Sequence, residues 1–116
     1  MLIRVDPASD TPIFAQIVAS VHADAAAGRL AAGDRLPSAR DVAGSLGINL
    51  HTVLRAYQQL RDEGLVDMRR GRGAVVTDAV EPLAHLHHDI AALVERARTL
   101  GLAADTLAAL VKETYR

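Results

Sequence analysis

The stretch SARDVAGSLGINLHTVLRAYQQLRD, residues 38 to 62, limits the fold more than any other part of the chain. Ser38 is an N-cap residue, because its hydroxyl can accept a bond from an amide that the first helical turn leaves unpaired. Asp41 stands at the capping-box position, where glutamate would be stronger. Val42 and Leu46 then face inward, and Gly47 stops the helix. After Ile48 another helix begins, with Asn49 as its cap. Two helices joined by three or four residues that include a glycine have helix-turn-helix spacing. In the second of them Val53, Ala56, Tyr57 and Leu60 fall on one side, so His51, Thr52, Arg55, Gln58, Gln59 and Asp62 face elsewhere. Tyr57 keeps company with Val53 and Leu60, which favours core packing over stacking on a ligand.

The flanking segments complete this unit. Thr11 and Pro12 read as cap and first-turn proline of an earlier helix, whose apolar residues Phe14, Ile17, Val18, Val21 and Ala25 recur at helical spacing before Gly28 ends it. GRLAAGDRLP, residues 28 to 37, reads as a turn with at most a short strand. Gly64 closes the third helix. LVDMR, RGRG and AVVT then follow as strand, tight turn and strand.

Beyond Asp78 the pattern changes, and Pro82 marks the start of a separate element. Leu83, Leu86, Ile90, Leu93, Ala97 and Leu100 recur at steps of three and four, Gly101 interrupts, and a last helix over roughly 103 to 115 carries Leu107, Leu110 and Val111. A pair of helices cannot close a core alone, so either the first domain or another copy of the chain must cover it. On so short an appendage these nine apolar positions are read as a dimerisation surface. The expected organisation is mainly α with a small β-hairpin: one domain over 1–78 and a two-helix hairpin over 79–116.

Charge is balanced overall, at −1 over 116 residues, but not locally. Between Arg35 and Arg72 seven arginines face four acids (Asp41, Asp62, Glu63 and Asp67), a local excess of three positive charges. Cysteine is absent, which excludes disulfide scaffolds and thiolate metal sites. The start MLIRVDPASD has no signal-peptide core and no apolar run is long enough to span a bilayer, so a cytoplasmic protein without membrane contact is expected. No serine-histidine-acid spacing and no Walker-type phosphate loop is present, which points away from an enzyme. His85 and His88 share a helix face beside His87, but three imidazoles without an acidic ligand read as solvated surface, and no metal or cofactor is expected.

A helix fits the major groove of duplex DNA and reads it with side chains near its N-terminal end, here Asn49, His51, Thr52 and Arg55. Asparagine and arginine carry the paired donors and acceptors that adenine and guanine edges require. Ser38 and Arg40, in the first turn of the preceding helix, are placed to use its N-terminal attraction for phosphate. At the hairpin tip, Gly71 and Gly73 remove bulk where a backbone must approach closely, and Arg70 and Arg72 suit the negative potential of a narrow minor groove. The tip reads as a wing. Arg35 is divided between bracing the turn and joining this surface, and Arg61 and Arg98 read as solvated.

The ordered run GRLAAGDRLPSARDVA, TVLRAY, EGLV, RGRGAVV resembles the winged helix-turn-helix domain of the GntR family of bacterial transcription regulators over residues 11 to 77. Within that family PIFAQI and LGINLHTVLRAY are most similar to the YtrA-like subfamily, whose members carry a short C-terminal helical hairpin for dimerisation. The resemblance implies DNA contacts at Arg40, Asn49, His51, Thr52, Arg55 and Arg70 to Gly73. With a dimerisation-type tail, the motif reads as a homodimeric regulator on an inverted-repeat, double-stranded DNA operator, and as a repressor more readily than an activator, because occupying a promoter blocks polymerase without an activating contact surface. Leu50 and Leu54 depart from the resemblance, since many relatives have a polar or basic residue or proline there. A small-molecule effector is compatible with the sequence but not specified by it.

Overall fold

The computed structural model describes residues 3–115; Met1, Leu2 and Arg116, at the ends of the two expected domains, lie outside the described residues. Five helices and one two-stranded antiparallel sheet follow in the order α1 (Ile13–Ala26), α2 (Ala39–Leu46), α3 (Leu50–Asp62), β1 (Val66–Arg69), β2 (Gly73–Val76), α4 (Val80–Thr99) and α5 (Ala104–Thr114). The architecture is mainly α with a winged helix-turn-helix at its N-terminal side. Two compact units divide after His85, inside α4.

The first unit closes around one core. Ile17, Val18, Val21 and Ala25 of α1, Val42 of α2 and Val53, Ala56, Tyr57 and Leu60 of α3 are buried together with Leu65, Val66, Ala74 and Val76 from the hairpin. The apolar stripes read from the sequence are the faces that meet there. The turn between α2 and α3 depends on Gly47, whose φ of 66° lies in the left-handed region that side chains disfavour. With Gly47 so placed, the Ile48 N–H reaches back to the Ala43 carbonyl at 3.0 Å and satisfies an open helix end. Ser38 Oγ accepts from the Asp41 N–H at 3.1 Å, and Asn49 Oδ1 from the His51 N–H at 2.8 Å, so both expected caps form.

The hairpin register pairs Val66 with Val76 and Arg69 with Gly73, leaving Arg70, Gly71 and Arg72 as the turn. Residues before α2 run along the other edge of β2. Arg35 bridges Val75 in antiparallel sense, and the Leu36 N–H donates to the Ala74 carbonyl at 2.9 Å. β2 is therefore hydrogen-bonded on both sides, which covers one of the two open edges a lone hairpin would present.

Three expectations differ from the structure. Thr11 does not cap α1: Pro12, with φ −54° and ψ 144°, is itself the cap residue, and the Thr11 carbonyl instead accepts from Gln16 Nε2 at 2.9 Å. The fourth helix starts at Val80, ahead of Pro82. Proline is tolerated because the amides of a first turn have no helical acceptor, and Thr77 Oγ1 accepts from the Ala79 N–H at 3.3 Å just before it. Finally, Val80 is buried in the first core and Leu83 packs against it, so the start of α4 belongs to the first unit by packing.

The second unit holds the rest of α4 and α5. The Leu102 N–H bonds the Ala97 carbonyl at 2.9 Å as the chain leaves α4, and Ala97 is buried. Leu86, Ile90, Leu93, Leu100, Leu110 and Val111 are each at least 41% exposed, and Leu107 is half-buried. No helix among the described residues is long and apolar enough to cross a membrane.

Candidate nucleic-acid interface

The inward faces of α2 and α3 fix what remains outside. With Val53, Ala56, Tyr57 and Leu60 buried, the outer face of α3 carries His51, Arg55, Gln58 and Asp62, all exposed, with Thr52 half-buried at its border. Asn49, capping that helix, is exposed too, as are Ser38 and Arg40 on α2 and Arg70, Gly71, Arg72 and Gly73 at the hairpin tip. Every position read from the sequence as a DNA contact is therefore accessible, wholly or in part.

Four of them share one concavity of about 660 Å³. Ser38, Gly71, Arg72 and Gly73 line it, together with Arg35, Leu54, Tyr57 and Met68. The α2 N-terminus, one flank of α3 and the hairpin turn thus face a common groove. Arg35 and Arg72 supply positive charge, Asp41 of the α2 first turn supplies one negative charge, and the α2 N-terminus adds the positive end of its dipole, so the lining is net positive. Arg40, Asn49, His51, Thr52, Arg55 and Arg70 do not line it. Successive helix residues are turned by about 100°. Leu54 therefore faces the hairpin while Arg55 lies round the exposed face of α3, on the side of α1. There the Arg55 guanidinium carbon stands 3.8 Å from the centroid of the Phe14 ring.

Tyr57 ties the two helices of the motif together. Its hydroxyl donates to the Pro37 carbonyl at 2.6 Å, which pins α3 to the residue preceding the Ser38 cap. Burial pushes the pKa of that hydroxyl above its ordinary value, so it stays protonated and keeps donating. Glycines at 71 and 73 have positive φ, 78° and 74°, and a Cβ at either would meet nothing within 4 Å. Backbone conformation, not crowding inside the chain, calls for glycine at the tip. Of the tip arginines, Arg70 and Arg72 have no ion pair among the described residues, whereas Arg69 lies 3.6 Å from Asp67.

Sequence reasoning missed three contributors. Met68 and Leu54 are exposed apolar residues on the groove wall. Met68 alternates outward on a strand too short to show a period, and Leu54 departs from the resemblance, so neither gave a signal. In the sequence Phe14 is only one member of an apolar stripe, and its second role needs the α1–α3 packing to be visible. Arg35 does both things its sequence position allows: its backbone braces β2 and the residue lines the groove. His85, His87 and His88 are exposed, with the rings of His87 and His88 6.3 Å apart.

The family signature decides among the proteins that share this architecture. The sequence pattern of the bacterial regulatory proteins, gntR family, matches residues 14–76, more than half of the chain. The chain belongs to the GntR family. Among GntR relatives it is 38% identical over 77 residues to the HTH-type transcriptional repressor YtrA of Bacillus subtilis, a match covering 66% of this chain and 59% of that relative. It is 39% identical over 75 residues to the HTH-type transcriptional regulator Rv1152 of Mycobacterium tuberculosis, covering 65% and 62% respectively. The match thus spans about three fifths of the length of these curated relatives. Among solved structures, YtrA from Sulfolobus acidocaldarius, a GntR-family transcription factor, superposes with a TM-score of 0.63 at 35% identity, covering 85% of this chain and 99% of that one. The expected likeness to YtrA-type regulators therefore holds in sequence and in fold.

Proposed function

We propose that this GntR-family chain is a homodimeric, sequence-specific DNA-binding transcription regulator that acts as a repressor at an inverted-repeat operator. The observation that carries the reading is the groove where the α2 N-terminus and the glycine-tipped hairpin meet beside α3, with Arg35 and Arg72 on its walls. A duplex backbone entering that groove meets positive charge and helix-end amides, while the outer face of α3 turns toward the major groove. His51, Thr52 and Arg55 are the base-edge candidates, with Asn49 at the helix start. Ser38, Arg40, Arg70, Gly71, Arg72 and Gly73 hold phosphate or minor-groove contacts.

The dimer reading rests on the second unit. Leu86, Ile90, Leu93, Leu100, Leu110 and Val111 are exposed large apolar side chains concentrated in this unit, where burial against a partner would remove them from water. A second copy of the hairpin supplies the matching surface, to which the half-buried Leu107 adds; Ala97 and Leu83, read from the sequence as part of it, are taken up by packing within the chain. Two reading heads related by a two-fold axis select half-sites about one helical turn apart. Repression follows from promoter occupancy, and the name of the Bacillus subtilis relative agrees with it.

Selection of bound fragments from random duplex DNA tests the proposal. A palindromic consensus is expected; enrichment of no sequence contradicts it. Binding of protein in place of DNA is the competing reading for a winged helix, and it predicts weak duplex affinity that hardly changes with salt, whereas the regulator loses affinity steeply as salt rises.

A further inference from the structure

We propose that Phe14 is a positioning residue for DNA recognition: its ring holds the Arg55 guanidinium in a fixed plane at the edge of α3, ready to donate to DNA. The inference rests on the DNA-binding reading above and adds a residue and a mechanism to it.

The geometry begins with α1 and α3. Besides the Phe14–Arg55 stack, the two helices are joined where His22 Nε2 lies 2.7 Å from Glu63 Oε1. Each residue of the second pair is eight positions beyond its counterpart in the first, so along this seam the two helices run in the same direction. Phe14 therefore lies beside the N-terminal half of α3, the end that carries Asn49, His51 and Thr52, and away from the Glu63 end. Its ring is half-buried, one part packed on the core that includes Ile17 and Val18, so it is a fixed surface.

Arg55 is exposed and, among the described residues, has no ion pair and no side-chain hydrogen bond. A free arginine on a helix surface samples many rotamers and must lose that freedom on binding. Stacking over an aromatic ring restrains the guanidinium through its face, while its N–H donors lie in its plane and stay available. An arginine so held recognises a pair of acceptors, either two phosphate oxygens or O6 and N7 of guanine.

The test uses the full chain and a fluorescently labelled duplex carrying the selected consensus, with variants Phe14→Leu, Phe14→Tyr, Arg55→Gln and the double variant Phe14→Leu/Arg55→Gln. An exposed cation–π contact is a weak restraint, so Phe14→Leu weakens binding about two- to fivefold while Phe14→Tyr, which keeps the ring, binds like the parent. In the Arg55→Gln background Phe14→Leu has no additional effect, because the ring acts only through the arginine. Phe14→Leu leaves the salt slope unchanged, since the charge remains. Arg55→Gln lowers that slope by about one, with equal loss on every sequence, if the acceptor is phosphate; if the acceptor is guanine, the loss is confined to one base position.

A readout without DNA separates the two levels of the argument. Nuclear magnetic resonance of the free chain should show the Arg55 side-chain protons shifted upfield by the ring in the parent and in Phe14→Tyr, and unshifted in Phe14→Leu. Absence of that shift in the parent overturns the stack whatever happens with DNA. A shifted arginine together with equal affinity of parent and Phe14→Leu overturns the positioning role and leaves the DNA-binding reading intact. If Phe14→Leu does not fold, Arg55→Lys, at an exposed site, takes its place: it keeps the charge, loses the flat stacking surface, and should weaken binding by at least twofold. A parent chain that binds no duplex overturns the regulator reading and the positioning role with it.

Discussion

Replacing Tyr57 with phenylalanine removes one atom and tests how the helix-turn-helix is held. The ring is 3% exposed and its place among Val53, Leu60 and Val42 is unchanged by the substitution, so the effect is confined to the 2.6 Å bond to the Pro37 carbonyl. A neutral hydrogen bond contributes about 0.5–1.5 kcal/mol net, and leaving the half-buried carbonyl without this donor raises the cost toward about 2 kcal/mol at pH 7. Ionisation gives an independent check. Burial raises the folded-state pKa above the unfolded value of about 10, so the stabilisation from the neutral hydroxyl is fully present below pH 10 and is lost as pH rises further. The maximum slope is about 1.4 kcal/mol per pH unit. The parent should therefore lose part of its advantage as pH rises above 10, and the difference between the two stabilities should narrow. Urea denaturation of both chains at pH 7, 9, 10 and 11 measures this, and the difference between them isolates Tyr57 from every other group that titrates there. A variant as stable as the parent at pH 7, or a difference that stays constant to pH 11, would refute the role assigned to the hydroxyl.

Gly47→Ala places a side chain at φ 66° with nothing within 4 Å to clash, so its cost is conformational, about 1 kcal/mol, and thermal unfolding should fall by about 4–8 °C. Arg70→Gln with Arg72→Gln removes two exposed charges without ion-pair partners among the described residues, so stability should change by less than about 0.5 kcal/mol. The same pair should make the plot of log affinity against log salt shallower by about two, measured by duplex titration at several salt concentrations. Ile90→Asp with Leu93→Asp charges the exposed face of α4 and, since each side chain is already more than half buried in the single chain, removes about 1 kcal/mol of further burial per side chain from a dimer while adding charge repulsion; light scattering should then report a monomer.

What the sequence disclosed and what it concealed divide by the range of the physics involved. Ser38, Gly47 and Asn49 act on their own helix ends, so the reading motif was visible from a handful of neighbours. The hairpin turn at Arg70 to Arg72 was legible for the same reason. Pro82 misled because it is a common helix opener, while the true start at Val80 is set by burial of that side chain in a core built by distant residues. Leu83 shows the same effect: its spacing fits the later stripe, yet packing assigns it to the first unit. Phe14 and Arg55 are forty-one positions apart in the chain, and no periodicity links them. The groove wall made by Leu54 and Met68 is likewise a product of tertiary packing between a helix and a strand.

Where duplex DNA touches the chain is the most direct point at which the proposed function can be tested. Backbone amide spectra recorded while unlabelled duplex is added map that surface directly. Changes are expected at Ser38 to Asp41, at Asn49 to Arg55 and at Arg70 to Gly73, with the fully buried residues of α3 affected least. Changes confined to the outer face of α1 or to the second unit, with those three stretches silent, would contradict it.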